Sequence, residues 1–176
     1  MLPDPLHPAV VHFPVVLAFL LPISAVIAIW TIRRGAQVRR AWAVPLALAA
    51  ALAFSSWIAA ETGESEEDRV ERVVAEAPLE AHEESAEAFV TGSALILLLT
   101  ATGFAKGLVG RVGRMSAVVG ATALLVGAAY VGHTGGELVY RHGAASAYAP
   151  SGVGAPAGPR GSISLSGEES DEHDRD

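Results

Sequence analysis

The hydrophobic residues of this chain fall into four long blocks instead of recurring at the spacing of a soluble helix. Each block is about 17 to 24 residues long, enough at 1.5 Å per residue to cross a hydrocarbon core about 30 Å thick. The blocks carry no charged residue in their cores, apart from Glu87 at the edge of the third, whereas a soluble helix of this length would show a charged face. The pattern predicts an all-α integral membrane four-helix bundle, with helices over about residues 9–32, 41–60, 79–105 and 115–133.

The segments outside the blocks divide the chain into a membrane domain, residues 1–143, and a tail. An acidic loop is predicted over about residues 61–78, and Gly63 is expected to end the second helix as its C-cap. The tail, residues 144–176, is rich in Ala, Pro, Gly and Ser and then acidic. Because such a segment lacks the apolar residues of a packed core, it is predicted to be disordered.

The linkers between the blocks differ in charge. Linker 33–40 carries four arginines, and linker 106–114 carries one lysine and two arginines, both without an acid. Residues 61–87 instead hold eleven Asp or Glu against two arginines. Short loops rich in Lys and Arg stay in the cytoplasm. We therefore expect the basic linkers inside, and both termini and the acidic loop outside.

The absence of cysteine limits the chemistry of any bound group. Disulfides, thiolate zinc sites, iron–sulfur clusters and covalently attached haem c are excluded. A metal or cofactor would be held by His, Asp, Glu or Met, or by packing. The sequence offers neither a nucleophile–base pair nor a nucleotide-binding loop, so catalysis is the weakest hypothesis. Nothing in it indicates nucleic acid as a partner.

Histidines gather at one end of the predicted bundle. Because Pro14 is tolerated in a first helical turn, His12 is expected near the start of the first helix and His7 in a non-helical arm. His82 falls on the stripe that becomes the packed face of the third helix. Five of the six histidines are thus expected on the outer face: His7, His12, His82, His133 and His142, with His173 in the tail.

Other residues at this end could support a histidine site. Glu61 lies one turn beyond Trp57, whose indole is typical of a membrane interface, and its carboxylate could accept the free N–H of a ligand histidine. Gly135 and Gly136 are expected either to interrupt the fourth helix or to let its backbone approach another group closely. Tyr140 is expected to be an interface anchor or a hydrogen-bond donor.

Four stretches together carry a family resemblance: HPAVVHFP at residues 7–14, WIAAETGE at 57–64, LEAHEE at 79–84 and GHTGGELVYRHG at 132–143. In this order and spacing they resemble the DUF2231 family of bacterial membrane proteins, over about residues 5–143. The resemblance implies four membrane helices in the bacterial inner membrane. Because some members are fused to, or occur beside, Rieske or c-type cytochrome domains, it also implies an extracytoplasmic electron-transfer setting. His133 and His142 match only some members, whereas the family's motif positions are matched by His7, His12, His82, Gly135 and Gly136.

The leading functional hypothesis is a membrane protein that binds haem b. Two axial histidines from different helices can hold haem in a bundle without cysteine. The expected axial pairs come from His12, His82 and His133, while His7 and His142 would serve a second haem or shape the rim. The protein would exchange electrons with an extracytoplasmic cytochrome c or a Rieske-type protein.

Two alternatives remain open. Imidazole with carboxylate suits zinc, copper or iron, and such an ion could be held by His7, His12, His82 and Glu61. The chain could instead be a non-catalytic structural subunit of a membrane redox complex, with histidines that are merely interfacial. The lipid bilayer is a partner under every hypothesis.

Overall fold

The computed structural model describes residues 5–149. Over this range it is entirely helical, without strands. Its elements are α1 (His7–Val10), α2 (His12–Arg33), α3 (Val38–Val70), α4 (Glu76–Thr102), α5 (Gly107–Tyr140) and a short 3₁₀ helix (Ala144–Tyr148). The predicted disorder of residues 150–176 concerns a part of the chain outside the described residues.

The four long helices of the described range are each long and apolar enough to span a membrane. Each packs against its neighbour in sequence, and α2 also packs against α5, so the helices form a closed ring. Connectors 34–37 and 103–106 lie at one end of this ring, and connector 71–75 lies at the other. The all-α, four-helix membrane bundle expected from the hydrophobic pattern is thereby confirmed.

Small residues fill the interior of the bundle, and large apolar residues cover its outside. The buried central layer consists of four alanines and four larger residues, Leu21, Leu52, Ile96 and Leu124. Phe19, Leu98 and Val126 are more than half exposed on the outer surface. In water such a surface would be unfavourable, but in a bilayer it faces lipid, and the small residues let the helix backbones approach closely.

The end of the bundle formed by connectors 34–37 and 103–106 is here called the arginine end. Trp42 is fully buried there, and its Nε1 donates to the carbonyl oxygen of Thr100 at 2.8 Å. The Arg114 guanidinium donates to the carbonyl oxygen of Gly103. Because both groups bond to carbonyls at the C-terminal end of α4, where backbone carbonyls have few helical partners, they fix that end of the helix.

The other end, called the histidine end, differs from the prediction in its helix boundaries. The segment expected to be an acidic loop mostly continues α3, which ends at Val70, so the prediction that Gly63 stops this helix is wrong. Glutamate and arginine are good helix formers, and the hydrophobic pattern marks where a chain leaves the bilayer, not where its helix ends. Helix α5 likewise runs through Gly135 and Gly136 to Tyr140 without interruption.

The two chain segments beyond the long helices are also more ordered than expected. His7 lies in the single helical turn α1, not in a non-helical arm, and α1 packs on α3. Residues Ala144–Tyr148, assigned to the disordered tail, form a 3₁₀ helix that packs on α5 and α3. Both segments cover the histidine end.

Candidate functional site

A cavity of about 620 Å³ lies at the histidine end, between α1, α3, α4, α5 and the 3₁₀ helix. Helix α3 has 33 residues and is about 50 Å long, so its acidic last turns project beyond a hydrocarbon core of about 30 Å. The cavity therefore lies at the end of the bundle where polar helix turns extend beyond the length that a hydrocarbon core requires. Its walls include His7, His82, Leu79, Ala86, Gly135 and Leu138.

His7 enters the cavity from α1 with one ring nitrogen already bonded. Its Nδ1 lies 2.8 Å from the carbonyl oxygen of Ala59 and 3.3 Å from Oγ1 of Thr62, both in α3. Because a carbonyl oxygen only accepts hydrogen bonds, Nδ1 must carry the proton. In the neutral imidazole Nε2 then has an unshared lone pair.

His82 enters the cavity from α4, and its Nδ1 is also hydrogen-bonded. Its Nδ1 lies 2.9 Å from Oγ1 of Thr134 in α5. The Thr134 hydroxyl also lies 3.0 Å from the carbonyl oxygen of Val131; when it donates its proton there, its oxygen accepts from Nδ1–H of His82. Within the described chain no group hydrogen-bonds to Nε2 of either histidine. Two imidazoles thus offer free Nε2 atoms in one cavity.

Two glycines make room for these rings. A β-carbon on Gly63 would lie 3.2 Å from Cε1 of His7, and one on Gly135 would lie 3.1 Å from Cε1 of His82. Both distances are shorter than ordinary van der Waals contacts. Of the two roles expected for Gly135, close approach is therefore the one it has. Gly136 lines the outer side of α5 and has no atom near its would-be β-carbon.

Carboxylates form the rim of the cavity, among them Glu64, Glu67, Glu83 and Glu87. His82 and Glu83 lie in the first turns of α4, before its apolar part begins. Burial lowers the pKa of His82, and the nearby His7 acts in the same direction. Burial also raises the pKa of Glu83, as do the neighbouring carboxylates of Glu67 and Glu71. Burial at this site thus disfavours the charged form of both His82 and Glu83.

The remaining predicted histidines are not brought to this cavity. His12 and His142 are exposed, and neither lines it. The His133 side chain is 67% exposed on the outer side of α5, with Nε2 3.7 Å from Oε1 of Glu137. The structure thus joins His7 with His82, whereas the expected axial pairs were drawn from His12, His82 and His133.

The other predicted residues lie on the surface of the bundle. Glu61 is exposed and does not line the cavity, so it does not support either histidine. Trp57 and Tyr140 are 51% and 89% exposed, on the outer surface where interface residues are expected. The described part of the chain contains no group of three or more His, Asp or Glu side chains arranged to hold a metal ion. In particular, His7, His12, His82 and Glu61 are not gathered.

Three residues of the site were not predicted from the sequence pattern. Thr134 accepts from His82, and Glu66 and Tyr148 hold the segments that cover the cavity. A hydroxyl or a carboxylate at such positions has no distinguishing sequence pattern, because its partners are about 50 to 80 residues away along the chain. Glu66 is one of many acids in its segment, and Thr134 stands between a histidine and a glycine that are themselves candidate site residues.

Comparison with known proteins places the whole described bundle in one family. A family model described as a predicted membrane protein, DUF2231, matches residues 3–147. No curated protein and no solved structure matches the chain. The matched range includes the four long helices, both histidines of the cavity and nearly all of the 3₁₀ helix. The chain therefore belongs to the DUF2231 family of predicted membrane proteins.

Proposed function

We propose that this protein binds haem b at the histidine end of the bundle, with His7 and His82 as the axial ligands, and takes part in electron transfer. The observation that carries the proposal is that two imidazoles from different helices offer unshared Nε2 atoms in one cavity. Each Nδ1–H is meanwhile bonded to a protein oxygen. This arrangement orients a ligand imidazole and raises its basicity.

The cavity has the properties that a planar apolar group needs. Its volume of about 620 Å³ is within the usual range for bound cofactors. Ala86, Leu79 and Leu138 give it apolar walls. Gly63 and Gly135 allow the imidazoles to lie close to the helix backbones. The site residues would exclude water and fix the ligands, while the haem iron would carry one electron.

The charges of the connectors support an orientation for this site. We propose that the arginine end faces the cytoplasm of a bacterial cell and that the cavity opens on the outer side of the inner membrane. An extracytoplasmic cytochrome c or Rieske-type protein would then be the redox partner. Because the chain has no cysteine, single cysteines can report this orientation. An impermeant maleimide should label Ala145→Cys in whole cells or spheroplasts and leave Ala36→Cys unlabelled until the membrane is opened; the reverse pattern would contradict the orientation.

A divalent metal ion is the second candidate, because carboxylates line the rim and would repel the propionates of a haem. Glu64, Glu67 and Glu83 could complete a site begun by the two imidazoles, as suits zinc or copper. Against this, the described residues form no ready cluster of three ligands. Haem therefore remains the leading proposal.

One sample decides between the two candidates. The full chain would be expressed with haem supplied, purified in mild detergent, and measured for oxidised and dithionite-reduced visible spectra and for metal content. The proposal predicts the spectrum of haem with two histidine ligands and iron as the bound metal. A colourless protein containing stoichiometric zinc or copper would establish the second candidate, and one without either would overturn both.

A further inference from the structure

Two segments that cover the cavity meet at one carboxylate. The N-terminal arm, residues 5–11, reaches Oε1 of Glu66 through the backbone N–H groups of Leu6, at 2.7 Å, and His7, at 3.1 Å. The 3₁₀ helix Ala144–Tyr148, here called the lid, reaches Oε2 of the same residue through the hydroxyl of Tyr148 at 2.7 Å. Both oxygens of Glu66 are thus used by chain segments far away in sequence.

The lid is packed as well as bonded. Gly143 has a positive φ of 73°, which lets the chain turn back from α5 over the cavity. Ala144 is only 7% exposed and packs with Val74, Leu79 and Leu138. The Arg69 guanidinium lies 5.0 Å from the ring centroid of Tyr148. The contact between Tyr148 and Glu66 is therefore made at the end of an ordered segment.

We propose that Glu66 is a positioning residue that clasps both segments, so that it fixes the backbone of His7 and holds the lid over whatever occupies the cavity. The part of this proposal that concerns ligation by His7 rests on the proposed function, whereas the part that concerns the lid does not. Hydrogen bonds to an ionised carboxylate are about twice as strong as neutral ones, which suits one side chain holding two segments.

The neighbouring acids lack this role. Glu67 follows Glu66 in α3 and lines the same cavity, but its carboxylate makes no hydrogen bond to any described residue. Glu67 is therefore a matched control: removal of its carboxylate changes the charge of the rim as removal of Glu66 does, without breaking the clasp.

The lid can be tested by cysteine labelling of the full chain in detergent. Ala144→Cys places a thiol on the buried face of the lid, and Ala145→Cys, whose side chain is exposed, gives the rate for an open position. In the Ala144→Cys background, we expect Glu66→Ala to speed maleimide labelling roughly tenfold or more, from the loss of charge-assisted hydrogen bonds. Tyr148→Phe should give a smaller increase, Glu66→Gln should restore much of the protection, and Glu67→Ala should leave the rate unchanged.

Equal labelling rates in Glu66→Ala and Glu67→Ala would overturn the clasp. If Ala144→Cys disturbs the fold, hydrogen exchange of residues 5–11 and 144–148 in the cysteine-free chain gives the same decision: faster exchange in both segments for Glu66→Ala alone supports the clasp, and unchanged exchange overturns it. Tyr148→Phe should release only the lid, because the arm keeps its bonds to Oε1.

The ligation part has a separate readout. In the cysteine-free chain, Glu66→Ala should weaken haem binding severalfold and change the reduced spectrum, because His7 is no longer held. Asp68→Ala, which removes an exposed carboxylate of α3 that does not line the cavity, should change neither. An unchanged affinity and spectrum would overturn the positioning of His7. Cysteine labelling needs no haem, so it tests whether Glu66 holds the lid even if the protein binds no haem. Failure of the clasp can therefore be distinguished from failure of the proposed function.

Discussion

The two ends of the bundle use polar groups in opposite ways. At the arginine end, the indole N–H of Trp42 and the guanidinium of Arg114 both bond to carbonyl oxygens at the C-terminal end of α4, and the helices are joined by short connectors. At the histidine end, His7 and His82 each use one ring nitrogen to fix the ring and leave the other facing a cavity. The polar groups at the arginine end stabilise the fold, and those at the histidine end leave ring nitrogens free to bind a ligand.

This difference shows which polar residues serve stability and which can serve a ligand. A buried polar group that has all its partners inside the protein stabilises the fold, whereas a lone pair facing a cavity gains its partner only from outside. Substitutions at the two ends should therefore separate stability from ligand binding.

The largest effect is expected at the arginine end. Trp42→Ala removes a fully buried indole and its bond to Thr100, and should lower the free energy of unfolding by about 3–5 kcal/mol. Trp57→Ala, at an outward position 51% exposed, should cost about 1 kcal/mol or less. SDS titration of the micellar protein, followed by circular dichroism, measures both. Similar losses of unfolding free energy for the two variants would contradict the claim that the buried groups of the arginine end stabilise the fold.

At the histidine end, loss of the partner of His82 should affect ligand binding first. Thr134→Val removes the acceptor of Nδ1–H and should weaken haem binding roughly tenfold or more, as for other residues that orient a ligand histidine. Thr122→Val makes the same substitution in α5 at an exposed position, where the hydroxyl bonds only to the carbonyl of Val118, and should not change it. Titrations with haemin compare the affinities; equal values in the two variants would show that Thr134 does not orient a ligand.

The smallest effect concerns the glycines of α5. Gly135→Ala brings a β-carbon to 3.1 Å from His82, so the ring must shift and haem affinity should fall a few-fold. Gly132→Ala meets no atom within 4 Å, so affinity should stay the same and stability should rise by up to about 1 kcal/mol from helix propensity. The same titrations and SDS unfolding test this pair, and a loss of affinity in Gly132→Ala would contradict it.

The hydrophobic pattern predicted the number and type of the helices because a bilayer requires apolar blocks of a given length. It could not predict the ends of α3 and α5, because their last turns lie beyond the apolar region and are formed from polar residues and glycine. Gly63 illustrates the limit: a glycine after an apolar block usually marks a C-cap, but here it stays helical and accommodates the ring of His7.

Topology alone predicted that histidines gather at one end, but not which of them share a cavity. His7 and His12 are separated by little more than one helical turn in sequence, and only His7 lines the cavity, because its own turn α1 packs back on α3. His133 and Thr134 are adjacent, yet only Thr134 faces His82. Which of these residues faces the cavity depends on how each helix is rotated about its own axis. Because α5 has small residues on several faces, its sequence does not predict that rotation.

The central claim is that His7 and His82, and not the other histidines, form the binding site. Haemin titration of the purified full chain tests it most directly, with His7→Ala and His82→Ala set against His12→Ala and His133→Ala. The account predicts that each of the first two loses the spectrum of haem with two histidine ligands, while the last two bind and absorb as the unaltered protein does. Loss of that spectrum in His12→Ala or His133→Ala, with His7→Ala and His82→Ala unaffected, would contradict it.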